Sequence, residues 1–222
     1  LKPALAESEF STDYAVNYLV QANGITHARF TISLINRLSN IYASEFSLSI
    51  GSTQLSAIQA YNSNGPLDLK VNQGTKTTNI VIPFPDKVLG KDKAQTFNLE
   101  FDSTDFANRL GNVWEISIPK LTHPENLNAY NLSLSIPNAF GRPAIISPLP
   151  VSQTPGPTYT VYRFKTADLL EKGISATFGQ SQFFNFNLTY HLENPNIFPV
   201  RTNLALPPDT AFQKITLQTL LP

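Results

Sequence analysis

Period-two alternation of apolar and small polar residues runs through this chain, and no cysteine accompanies it. A strand with one buried and one wet face produces that period, because successive side chains leave a strand on opposite sides. The longest instance is Phe184, Phe186, Leu188, Tyr190 and Leu192, interleaved with Asn185, Asn187, Thr189 and His191. Shorter ones are Tyr14, Val16, Tyr18 and Val20, and Ala28, Phe30, Ile32 and Leu34 set against His27, Arg29, Thr31 and Ser33. Without cysteine, disulfides, thiolate metal sites and a thiol nucleophile are excluded within this sequence.

Turn chemistry punctuates the pattern. Asn23-Gly24 predicts a hairpin, since both residues tolerate positive φ. Further strands are expected at 46–50, 55–61, 97–101 and 114–118, and a hairpin about Gly74 joins 67–71 to 79–84. After the aperiodic, proline-containing stretch at 119–127, strands are expected at 130–136, 144–147, 159–164, 176–178, 183–192, 200–206 and 212–220. Short helices are expected at Asp105–Leu110, ended by Gly111, and at Ala167–Lys172, with Thr166 as N-cap and Gly173 after it. The fold class read from this is all-β: two antiparallel β-sandwich-like domains, 7–120 and 121–222, with one or two short connector helices. At 222 residues the chain is long enough to bury a substantial core.

Charge limits the function classes. Sixteen basic residues balance sixteen acidic ones, and no basic cluster supplies the face that phosphate contacts require, so nucleic acid is not an expected partner. The densest basic stretch, Lys87 to Lys93, is interleaved with Asp86 and Asp92 and reads as a solvated hairpin turn. No run approaches the roughly 20 apolar residues of a membrane helix. Any membrane anchor is therefore expected outside this sequence.

Catalytic and ligand motifs are sparse. His27, His123 and His191 belong to no metal-binding spacing and no Gly-x-Ser-x-Gly elbow is present. His191 and Glu193 share a strand face in this reading. Asp92, Asp102 and Asp105 are the oxygen donors that could meet about one sheet edge to hold calcium, although no calcium-loop order is present. A carboxylate hydrolase would draw on Glu100, Asp102, Asp105 and Glu115, which no motif supports. Trp114 shares the phase of Ile116 and Ile118 and reads as core. Tyr42, Tyr61 and Tyr159 fall near strand ends and are the candidates for stacking on a sugar. No cofactor is expected. The glycosylation tripeptides at Asn131 and Asn187 lie inside expected strands and receive no role.

The chain contains no methionine, so it is expected to be a processed or excised piece. Ala4-Leu5-Ala6 before Glu7-Ser8-Glu9 fits a signal-peptidase site, and the strand-like Ile215 to Pro222 suggests a parent that continues.

Several motifs carry a family resemblance. Tyr190-His191-Leu192-Glu193-Asn194-Pro195-Asn196, Phe198-Pro199-Val200 and Leu204-Ala205-Leu206-Pro207-Pro208-Asp209-Thr210-Ala211 stand in the second half, with Gly173-Ile174-Ser175-Ala176 and Phe178-Gly179. Leu38-Ser39-Asn40-Ile41-Tyr42-Ala43-Ser44 and Trp114-Glu115-Ile116 stand in the first. Together they resemble the N-terminal ectodomain of bacterial, candidate-phyla transglutaminase-like cell-surface proteins. The resemblance implies an exported, membrane-anchored parent whose papain-like Cys-His-Asp site lies in a downstream domain, and it carries no catalytic residue onto this chain. The expected function is a non-catalytic extracytoplasmic module that positions or recognises substrate for that domain. Its expected partners are the downstream domain of the same polypeptide and a protein or glycan at the cell surface. The alternative is a stand-alone adhesin or carbohydrate-binding module.

Overall fold

A computed structural model describes residues 9–122, 124, 126–179, 184–210, 213, 215–217 and 219. The chain falls into two compact units, Leu1–Phe183 and Phe184–Pro222.

The first unit is all-β. Its strands are β1 (Phe10–Val20), β2 (Thr26–Asn36), β3 (Glu45–Ile50), β4 (Leu55–Asn62), β5 (Gly65–Leu67), β6 (Lys70–Gln73), β7 (Thr78–Pro83), β8 (Ala94–Ser103), β9 (Ala107–Leu110) and β10 (Val113–Ile118). There follow β11 (Leu127–Pro137), β12 (Pro143–Ser147), β13 (Ser152–Pro155), β14 (Tyr159–Arg163), the helix α1 (Thr166–Lys172) and β15 (Ile174–Gly179). They form an eight-stranded sheet in the order β13-β14-β11-β1-β2-β8-β4-β5, a four-stranded sheet β12-β15-β10-β9 and a three-stranded sheet β3-β7-β6.

The alternation decides which side of each strand is buried. Tyr14, Val16, Tyr18 and Val20 of β1, Ala28, Phe30, Ile32 and Leu34 of β2, and Phe97, Leu99 and Phe101 of β8 all turn into one core. The smaller sheets cover it. Phe46 of β3 meets the ring of Phe97 at 5.2 Å, and Phe178 of β15 meets Tyr162 of β14 at 5.9 Å. Each such buried aromatic contributes on the order of 1.5–3 kcal/mol over an exposed one. The β1–β2 turn has Gly24 at φ +91°. A Cβ there would lie 2.8 Å from the Trp114 ring, so conformation and space both require glycine. Trp114 itself is half-buried and stacks on Phe140 at 4.0 Å.

Several expectations are corrected. Residues 119–127 do not divide two sandwiches. β11, which follows them, joins the first sheet in parallel beside β1, and β15 pairs with β10. The stretch is a tied crossover: Leu121 is buried, and Thr122 Oγ1 donates to Ser49 O at 3.2 Å. That parallel pair also breaks the expected all-antiparallel pairing. Ala107–Leu110 is strand, not helix; it pairs with β10 around Gly111-Asn112, with Gly111 at φ +62°. Asp105 accepts hydrogen bonds from the Ser52 and Ser103 hydroxyls instead of opening a helix. Lys87 to Lys93 is solvated but lies between β7 and β8, which belong to different sheets, so it is a crossover and not a hairpin. The expected 67–71 strand is split into β5 and β6. The α1 helix forms as expected, but Thr166 is its first residue and its hydroxyl donates to Tyr130 O at 2.8 Å.

The second unit holds no strand among its described residues. The alternating run at Phe184–Leu192 and the expected strand at 200–206 are therefore not strands. Phe184, Phe186, Leu188, Tyr190 and Leu192 are 72, 52, 48, 42 and 59% exposed. Alternation gives a segment two faces, but a strand also needs a ladder partner, and the described residues of this unit lie in no ladder. The Ala4-Leu5-Ala6 motif and His123 lie outside the described residues, and the described residues of the expected strand 212–220, namely 213, 215–217 and 219, are not strand.

Candidate functional site

The outer face of the eight-stranded sheet carries the polar half of the alternation. Because β2 and β8 pair in register, His27, Arg29, Thr31 and Ser33 stand opposite Asp102, Glu100, Asn98 and Thr96. Every rung is bonded. His27 Nδ1 meets Asp102 Oδ1 at 2.8 Å, Arg29 Nε donates to Glu100, Thr31 Oγ1 donates to Asn98 Oδ1 at 2.8 Å, and the Ser33 and Thr96 hydroxyls meet at 2.9 Å. The polar row extends across β1 to β11, where Ser133 donates to Asn17 and Asn128 donates to Asp13.

Glu100 is the centre of this face. It is only 5% exposed, although it sits on the wet side. Its carboxylate accepts from Arg29 Nε, from Tyr61 Oη at 2.8 Å and from Gln59 Nε2 at 2.8 Å. Burial alone would raise its pKa. The hydrogen bonds from Tyr61, Arg29 and Gln59, together with the Arg29 charge, outweigh that and hold it below the ordinary glutamate value. The Arg29 side chain is 53% exposed. A buried carboxylate thus orients an outward guanidinium, an arrangement suited to a planar or anionic partner. β4 delivers Tyr61 and Gln59 after a bulge between Ser56 and Gln59, with Ala57 at φ +50°.

Other expected site residues are scattered. Tyr61 and Tyr159 lie on β4 and β14, with four strands between them in the sheet, about 24 Å at ~4.8 Å per strand. Tyr42 lies between β2 and β3, on a cleft of about 430 Å³ that Tyr14 and Phe46 of the core also line. The Lys87 ammonium sits 5.1 Å from the Tyr42 ring centroid. The three tyrosines therefore share no stacking surface. Asp92 precedes one end of the ten-residue β8 and Asp105 follows the other, about 30 Å apart at ~3.3 Å per residue. Among the described residues no three His, Asp or Glu side chains gather. Glu115 is exposed on β10, in the four-stranded sheet, away from Glu100 and Asp102. His191 and Glu193 do not share a strand face: the segment is irregular and exposed, and there His191 Nε2 meets Glu193 Oε1 at 2.9 Å.

The sequence showed Arg29 as outward and Glu100 only as a loose acid. Their pairing joins residues 71 apart, and no local signal marks it.

No family model matches this chain, and no curated protein does. Solved structures similar to it include an M1 zinc metallopeptidase of Deinococcus radiodurans, the E323A mutant bound to a Tyr-Ser-Ala substrate, at 11% identity and a TM-score of 0.48. That match covers 81% of this chain and 44% of the other. Yeast LTA4 hydrolase in complex with bestatin is 15% identical with a TM-score of 0.48, over 80% of this chain and 31% of that one. Legionella pneumophila aminopeptidase A in complex with aspartic acid is 13% identical with a TM-score of 0.42, over 80% and 22%. The chain spans less than half the length of each, and at these scores no activity is carried across.

Proposed function

We propose that this chain is a non-catalytic β-sandwich module that recognises and positions a substrate for a transglutaminase-like, papain-fold domain of the same exported bacterial polypeptide. The observation that carries this reading is the outer face of the eight-stranded sheet, where cross-strand bonds hold Arg29, Tyr61 and Gln59 about one buried carboxylate. Such a face is pre-ordered, so a ligand that meets it loses little further side-chain entropy. The resemblance of the turn motifs to surface-protein ectodomains supports the setting, and with no cysteine in this sequence a thiol nucleophile would have to come from the other domain. The three scattered tyrosines give a carbohydrate-stacking module no comparable support.

The test is kinetic. In the parent protein, Arg29→Ala is expected to raise KM for the substrate several-fold while leaving kcat unchanged. A parent without a Cys-His-Asp domain, or an Arg29→Ala change confined to kcat, would overturn the reading.

A further inference from the structure

A second surface, separate from that face, lies along an edge strand. The three sheets have six edges: β13 and β5, β12 and β9, β3 and β6. Natural sheets blunt their edges with proline, lysine or other charge, or bulges, because an open row of N–H and C=O groups recruits another strand. Five edges here carry a proline or a basic residue. Pro155 lies in β13, Pro66 in β5, Pro143 beside a register shift in β12, Arg109 in β9 and Lys70 in β6. β3, Glu-Phe-Ser-Leu-Ser-Ile, has no proline, no basic residue and no register shift, and its one charge is Glu45 at its start.

The register shows which groups of β3 point outward. Ser44 O accepts from Phe84 N at 2.8 Å, and Phe46, Leu48 and Ile50 face Ile82, Ile80 and Thr78 in the same phase. In an antiparallel ladder the alternate residues turn their N–H and C=O groups the other way. Those are Glu45, Ser47 and Ser49. Ser49 O meets the Thr122 hydroxyl, which confirms the phase. Glu45 and Ser47, with the rest of residues 44–49, line the cleft of about 430 Å³, and among the described strands none pairs with β3 on its outward side. Tyr14, Leu34, Phe46 and Leu121 supply its apolar wall. The charged residues among its described lining are Glu9 and Glu45, both acidic and both exposed.

We propose that the open edge of β3 is a docking site for an extended, basic polypeptide segment, which adds to the three-stranded sheet as a fourth strand. Main-chain bonds to Glu45 and Ser47 supply the affinity, the apolar wall takes alternate side chains, and the two carboxylates select lysine or arginine. The site goes beyond the outer-face reading and does not depend on it: Arg29 variants report on that face and β3 variants on this edge.

The test uses an acetylated, amidated peptide of alternating lysine and valine, titrated by fluorescence anisotropy and by amide NMR. The expected result is saturable binding with shifts at Glu45 and Ser47. Ser47→Pro removes one outward N–H without touching the β7 side, and at least a tenfold loss is expected. Glu9→Gln with Glu45→Gln is expected to weaken binding several-fold and flatten its salt dependence. Should Ser47→Pro fail to fold, the wild-type chain is titrated with the same peptide N-methylated at alternate residues, which must lose binding in one of the two phases. Equal binding of Ser47→Pro, equal binding of both methylated phases, or shifts that map to another edge would overturn the proposal. Self-association of the chain that Ser47→Pro abolishes and the peptide fails to compete would likewise overturn it, assigning the edge to a second copy.

Discussion

Replacing Glu100 by glutamine keeps its shape and removes its charge. In the wild type, Oε1 accepts from Arg29 and Tyr61, and Oε2 accepts from Gln59. The glutamine oxygen keeps the first two as bonds to a neutral acceptor. Its amide nitrogen then faces the Gln59 amide, which is exposed and free to turn over and accept. What is lost is the charge contribution, since a bond to a charged group is worth about 1.5–3 kcal/mol net and a neutral one about 1. The Arg29 side chain is 53% exposed, so solvent screens its share, and the expected cost is about 1 kcal/mol. With an m-value of about 2 kcal/mol per molar in urea, the midpoint falls by about 0.5 M. The pH dependence is diagnostic. The folded pKa lies below the unfolded value, so the contribution is complete above about pH 4.5 and disappears as pH falls through the folded pKa. Urea melts at pH ~7 and pH ~3.5 are therefore expected to show a wild-type advantage at the first that is smaller at the second. Equal midpoints at pH ~7, or a difference that persists undiminished in acid, would refute this account of the buried carboxylate.

Gly173→Ala is expected to cost at least about 2 kcal/mol in thermal or urea unfolding, because φ is +71° and the new Cβ would lie 2.4 Å from Ile118 O. Phe97→Ala removes a fully buried ring packed on Phe46 and Phe84 and is expected to cost about 3–5 kcal/mol, whereas Phe186→Ala, at a side chain 52% exposed, should stay within about 0.5 kcal/mol. Burial pushes the Tyr14 hydroxyl up to about 12 and raises Tyr18 and Tyr130 as well. These tyrosines stay neutral while the unfolded chain ionises, so stability is complete below about pH 10 and falls above it. Tyrosinate absorbance followed with unfolding is expected to show part of the signal released only on melting.

The strands were legible wherever alternation coincided with a ladder partner. β1, β2 and β8 show every expected inward residue buried. Phe184–Leu192 shows the limit, since the strongest alternation in the chain forms no strand. Gly111-Asn112 carried a hairpin signal that the neighbouring Asp105 and Gly111, read as helix punctuation, concealed. The stretch at 119–127 read as a linker because proline and lost periodicity mark any irregular segment, including one that crosses between packed sheets.

The amino-acid order alone determined the all-β class, the inward and outward sides of the strands, and the lack of thiol chemistry. Side-chain phase is a local property of an extended backbone, so a few residues suffice to set it. The tertiary structure decided which strands are neighbours. It placed β11 parallel to β1, set Glu100 beneath Arg29 and Tyr61, and put β3 at a sheet edge lining the cleft. Neighbours are chosen by the apolar area that distant segments bury together, and that sum is not written in any short stretch of chain.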